Sequence, residues 1–272
     1  MSGLTRRACL AAALGCVTAA ARADGFDATH AAWSVLLRRH VRQQPGGHAT
    51  RLHYAGMAAD RAELRRYLAA LSAVPMRDFS AWPKAERQAF LLNAYNAFTV
   101  ELVLGRYPGL ASIRDLGSLF STPWKRRWIP LLEAEVSLDD IEHAMLRQRG
   151  AYDDPRVHFA ANCASVGCPA LREEAYAAAT LDAQLDDQAR RFMSDRSRNR
   201  WNAAKERLEL SKIFDWYGED FRLGHRGIAS LPAFAARHAD VLADDASARE
   251  RIRGGKVAIA FLDYDWALND TR

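Results

Sequence analysis

The sequence has few cysteines, no long apolar run and no block of one charge, and each shortage excludes something. The longest apolar stretch free of charge, Ala8 to Ala21, has 14 residues, short of the roughly 20 that a membrane-spanning helix needs. An integral membrane span is therefore not expected. No Lys/Arg block is interleaved with aromatic residues, so a nucleic-acid partner is not expected either. Internal repeats and low-complexity segments are also missing after the first residues, and the Gly/Pro-rich interruption at Gln43–Gly47 is too short for a domain linker. The hydrophobic fraction of 49% with 26% charge is that of a globular chain, which excludes disorder and collagen.

The apolar stretch has its own meaning. It follows Arg6 and Arg7 and ends in Ala21-Arg22-Ala23, the basic start, short apolar centre and small-x-small exit of a cleaved secretion signal. Residues 1–23 are read as that signal and residues 24–272 as one globular domain. The run Thr5-Arg6-Arg7-Ala8-Cys9-Leu10 resembles the twin-arginine signal, and general secretion is the alternative route. Ala13-Leu14-Gly15-Cys16 is a poor lipoprotein box, so membrane anchoring through Cys16 is the weaker reading. Loss of Arg6, Arg7 and Arg22 reduces the 38 basic residues to 35 against 33 acids, so the net charge drops from +5 to +2. The export reading places the chain in the periplasm or outside the cell. Trp124-Lys125-Arg126-Arg127-Trp128 is the one basic-aromatic cluster, read as a solvated loop anchored by its two indoles.

Apolar residues recur at helical spacing in Ala31–Val41, Arg61–Leu71, Ala85–Leu104 and Leu181–Phe192. Trp128–Leu132 and Glu135–Leu138 flank a tight turn, while Val157–Ala161, Arg207–Leu210 and Val257–Tyr264 look extended. The expected fold is α+β, a helix-rich single domain with a small, mainly antiparallel sheet. Ser137 and Asp140 cap a helix that begins at Leu138 and mounts Glu142 and His143 rigidly.

Processing leaves Cys163 and Cys168 as the thiols of the mature chain. Either they close a disulfide loop, or Cys163 is a nucleophile with Asn162 and Ser165 beside it to donate to an oxyanion. A thiol needs a base to become a thiolate near neutral pH. On an expected strand at Val157–Ala161, His158 faces away from Cys163, which makes His143 the preferred partner, with Asn96 or Asp265 orienting its ring. Asn93 and Asn96 share one helical face in apolar surroundings, so they must be hydrogen-bonded, and pinning the Cys163 loop or a sheet edge is their simpler role. Asp265 could equally cap a turn. Glu142, His158, Trp216 and Tyr217 complete the set expected around a ligand. A metal reading with His158, Cys163 and Cys168 lacks a fourth ligand and the spacing of zinc knuckles, so no metal and no cofactor is expected.

Five ordered motifs carry a resemblance. They are Asn93-Ala94-Tyr95-Asn96-Ala97, Ser137-Leu138-Asp139-Asp140-Ile141-Glu142-His143, the run His158 to Pro169, Leu210-Ser211-Lys212-Ile213-Phe214-Asp215-Trp216-Tyr217, and Tyr264-Asp265-Trp266-Ala267-Leu268-Asn269. Over about residues 93–269 the chain resembles the bacterial exported branch of domain of unknown function number five-four-seven. Plant members of that family often carry serine where Cys163 stands here, so the resemblance implies a site resting on His143, Asn93 and Asn96 as well. The function expected from the residues is a thiol-dependent hydrolase or acyl transferase acting on an amide, thioester or peptide-like bond. Its partner would be a small-molecule or peptide-like substrate. The competing expectation is a non-enzymatic binding or scaffold module with a disulfide-stapled loop.

Overall fold

A computed structural model describes residues 25–117 and 122–271. The expected signal segment, with Cys9 and Cys16, lies outside them. The helix Lys84–Leu104 is buried at every position from Gln88 to Leu104, because its apolar residues cover all faces and such a helix is stable only inside a core. Pro83 precedes it, and the chain leaves through Gly105. Arg61–Ser72 packs against it and Ala31–His40 packs against Arg61–Ser72 in turn, with Trp33 stacked on Tyr67 at 5.8 Å. Glu101 is nearly buried at its end and is matched by Arg61 at 2.9 Å and Arg65 at 3.1 Å, so its charge is not left alone in the core.

A second apolar cluster forms around Phe159, Phe192, Phe214, Phe221 and Phe234, with ring centroids 5.0–5.7 Å apart along the chain of contacts from Phe192 through Phe159, Phe214 and Phe221 to Phe234. The helix Leu181–Ser194 and a three-stranded sheet enclose it. In that sheet Arg200–Asn202 pairs antiparallel with Arg207–Leu210, which pairs parallel with Ala258–Phe261. Two hairpins make up the remaining sheets, Val41–Gln43 with Thr50–Leu52 and Ile129–Leu131 with Ala134–Val136. The second closes through Leu132 and Glu133, both at positive φ, the backbone that a two-residue hairpin turn requires. Helices predominate and most strand pairs are antiparallel, so the architecture is α+β. No helix among the described residues is long and apolar enough to cross a membrane.

One expected element is corrected. Residues 157–161 are not a strand, because Pro155–Phe159 forms a 3-10 helix. Its start is fixed locally by Pro155 and by Asp154, whose side chain accepts from the Arg156 backbone N–H. The Arg156 side chain then anchors the turn to Asp154, Asp182 and Asp186. Strand alternation therefore does not govern His158, and the inference that it faces away from Cys163 fails. The cap at Ser137 is as expected: Ser137 Oγ accepts from Asp140 N at 3.0 Å, and Asp140 Oδ2 accepts from Ser137 N at 2.9 Å. The helix that follows, Asp140–Leu146, is wound wide, with Arg147 N bonded to Glu142 O.

Candidate functional site

The two apolar clusters meet around a cavity of about 360 Å³. The Asp140–Leu146 helix and the residue before it contribute Asp139, Glu142 and His143. Cys163, Cys168 and Pro169 contribute a second side, and Tyr95, Trp124, Trp216, Tyr217, Tyr264 and Trp266 supply aromatic walls. His158 and Lys125 also line it.

Cys163 and Cys168 are joined in a disulfide, with their Cα atoms 6.1 Å apart. In this state neither carries a thiol. The segment between them is held by an unusual density of bonds. Ala164 sits at φ +64°, a left-handed backbone that costs a non-glycine residue about 1 kcal/mol. Asn162 Oδ1 accepts its N–H at 3.0 Å, and Asn269 N donates to its carbonyl at 3.0 Å. Ser165 bridges antiparallel to Leu268, and Val166 N and Gly167 N bond Ala267 O and Asp265 O. Gly167 must lack a side chain here, since a Cβ would stand 2.9 Å from the Tyr264 ring and 3.0 Å from Asp265 O. Arg198 donates to the carbonyls of Val166 and Cys168 from the other side, and burial pulls its pKa below the usual guanidinium value.

Asn96 is part of that scaffold. Its Nδ2 donates to Ala160 O at 3.0 Å and its Oδ1 accepts from Asn162 N at 2.8 Å, so both polar groups serve the backbone and neither is left to orient a histidine. Asn93 makes the same paired bonds to Tyr176, at 2.8 and 3.0 Å, and lies outside the cavity wall. Asp265 accepts from Ala267 N at 2.9 Å, which is the turn-capping alternative and not the ring-orienting one. Asn162 donates to Pro169 O at 2.7 Å.

Chemistry concentrates instead in a chain of four side chains. His158 Nε2 lies 2.7 Å from Asp220 Oδ2, and Arg147 grips both oxygens of Asp220, at 2.7 and 3.0 Å. The third nitrogen of Arg147 reaches His143 Nδ1 at 2.5 Å. A guanidinium can only donate, so His143 carries its lone pair on Nδ1 and its proton on Nε2, 3.5 Å from Asp139 Oδ1. An ionised Asp220 can only accept, so His158 has its proton on Nε2 and a lone pair on Nδ1. Burial holds the His158 pKa below its usual value, against the pull of Asp220, and the ring lies over Tyr217 at 4.0 Å. Burial alone would raise the Asp220 pKa, but bonds from His158 and Arg147 outweigh it and hold the carboxyl well below its usual range.

The Glu142 carboxylate acts on the hydroxyls of Tyr95 and Tyr217. Burial, helped by the Glu142 charge, raises both phenol pKa values well above normal, so each remains a neutral donor. Tyr264, Trp216 and Trp266 pack ring to ring at 4.6–5.6 Å, with Trp124 against Trp266 at 5.9 Å. Trp216 is 44% exposed, which places it at the mouth. Trp124 and Lys125, read from the sequence as part of a solvated loop, face this cavity.

Residues 79–193 match the family model described as "Protein of unknown function, DUF547". No curated protein matches the chain, and no solved structure does. The matched segment carries Glu142, His143, His158, both cysteines and the Asn96 clamp. Asp220, Trp216, Tyr217, Tyr264 and Trp266 lie beyond it, so the site joins the matched stretch to the C-terminal one. Sequence reasoning missed Asp220, Arg147, Arg198 and Tyr264, whose roles depend on partners 30 to 101 positions away.

Proposed function

We propose that this is an exported ligand-binding protein whose cleft takes a small amphipathic, peptide-like molecule, with the Cys163–Cys168 disulfide forming part of one wall. One observation carries the reading: a cavity of about 360 Å³ combines continuous aromatic walls with charges of both signs, Glu142 and Asp139 against Lys125. That volume lies within the roughly 300–1,000 Å³ range of small-molecule sites, which join apolar walls to a few convergent polar groups. The aromatic faces attract an apolar ring or an ammonium group. The carboxylates suit an amine and Lys125 suits a carboxylate. The disulfide supports a binding role, since it leaves no nucleophile, and it fits the oxidising compartment that the N-terminal segment points to.

A second reading is favoured by the partial exposure of Cys163 in the same cavity. Reduction would free its sulfur for attack on an amide or thioester. His158, oriented by Asp220 and holding a lone pair, suits the base role better than His143, whose Nδ1 is taken by Arg147.

Titration of the oxidised protein with short zwitterionic peptides, followed by tryptophan fluorescence, tests the binding reading. Saturable change is expected, and Trp216→Ala should weaken it about 30-fold, the loss of an aromatic anchor worth roughly 2 kcal/mol. Peptides that leave the emission unchanged, while the reduced protein hydrolyses a peptide amide or thioester, would move the assignment to the thiol reading.

A further inference from the structure

The two sulfurs of the disulfide occupy different settings. Both line the cavity, but Cys163 is partly exposed whereas Cys168 is only 4% exposed. The backbone N–H of Cys163 donates to Cys168 Sγ at 2.8 Å. Arg198, whose side chain is 12% exposed, bonds the Cys168 carbonyl, which places a positive charge beside the same residue. The Tyr264 hydroxyl lies 3.1 Å from Cys163 Sγ, and a sulfur in a disulfide can only accept that bond. Each sulfur thus faces a donor, but the contact at Cys168 Sγ is the shorter and the Arg198 charge stands beside that residue, so negative charge is better stabilised on Cys168, which makes it the better leaving group.

We infer that Cys163–Cys168 is a reversible redox couple that exchanges with a small thiol entering the cleft, with Cys163 as the sulfur attacked and Cys168 as the sulfur released. The incoming thiolate forms a bond to Cys163 Sγ as the Cys163–Cys168 bond breaks, and the electron pair goes to Cys168 Sγ. A second thiol then attacks the sulfur of the first, forming the external disulfide and releasing Cys163. Two thiols are oxidised, the protein disulfide takes up two electrons, and the two thiol protons end on Cys163 and Cys168. The bonds from Asn162, Asn269, Asp265, Ala267 and Arg198 hold the loop on both sides of the break, so the cysteines stay poised to close again.

The test uses the full oxidised chain without denaturant, reduced glutathione as the probe, and mass spectrometry after acid quench. The expected result is a glutathione adduct on Cys163, none on Cys168, followed by the dithiol. With oxidised glutathione, a Cys168→Ser chain should gain the adduct at least about tenfold faster than a Cys163→Ser chain does, because Cys163 is the accessible sulfur and access outweighs the greater thiolate character of buried Cys168. An adduct on Cys168, or a disulfide that glutathione opens only after unfolding, overturns the inference. The wild-type measurement decides it if either serine variant fails to fold. Exchange is read as mass and peptide binding as fluorescence, so either proposal can fail without the other.

Discussion

Replacing Asn96 with alanine removes both halves of a buried amide clamp and leaves the Asn162 N–H and the Ala160 carbonyl without their partner. Asn96 is 2% exposed, so water does not readily take its place. An orphaned buried group costs about 1–3 kcal/mol, and two of them give a loss of roughly 2–6 kcal/mol. For a chain of this size about 3 kcal/mol lowers Tm by about 6–12 °C. Asn93→Ala is the matched control, because Asn93 makes the same two bonds to Tyr176 and none to the loop that carries the disulfide. Both variants should lose similar stability in urea titrations. Only Asn96→Ala should change the rate at which a small thiol opens the disulfide, since only Asn96 holds the residue before Cys163. Equal rates in the two variants would refute the idea that Asn96 fixes the cleft loop. A loss below about 0.5 kcal/mol for Asn96→Ala would refute the clamp itself.

Gly167→Ala drives a methyl group to 2.9 Å from the Tyr264 ring and 3.0 Å from Asp265 O, so it should cost about 1–3 kcal/mol and shift the Tyr264 fluorescence or NMR signals. A stable variant with an unmoved ring would contradict that close approach. Burial lowers the His30 pKa to about 4 against 6.5 unfolded. The unfolded state therefore binds more protons in that window, so this contribution is complete above pH 6.5 and lost as pH falls toward 4, up to about 3 kcal/mol. Urea titrations across pH 4–7 should show the slope, and His30→Asn, which tolerates the left-handed backbone at this position, should remove that share of it. His238, also lowered by burial to about 4, keeps its own share. Asp220→Asn weakens charge-assisted bonds to Arg147 and His158 and should destabilise the protein by about 1.5–3 kcal/mol. An unchanged midpoint would mean that the four-membered chain contributes no stability.

Local rules were enough for much of this molecule. Apolar spacing placed the helices Ala31–His40, Arg61–Ser72, Lys84–Leu104 and Leu181–Ser194, and the Ser137–Asp140 cap was legible because both partners lie within one turn. The need of buried amides for partners indicated that Asn93 and Asn96 serve the backbone, and the spacing of Cys163 and Cys168 admitted a disulfide. Tertiary structure decided the rest. A five-residue apolar run does not reveal whether it extends or turns, and at Pro155–Phe159 the Asp154 cap and the anchoring of Arg156 to the helix Leu181–Ser194 settled it as a turn. That placed His158 in the same cavity wall as Cys163. Asp220 lies 62 positions from His158 and Tyr264 lies 101 from Cys163, and nothing local to either residue marks its partner. Periodicity reports which face of an element is buried. Which two faces meet is set by packing of the whole chain, and the cleft, the histidine tautomers and the unequal settings of the two sulfurs all arise where such faces meet.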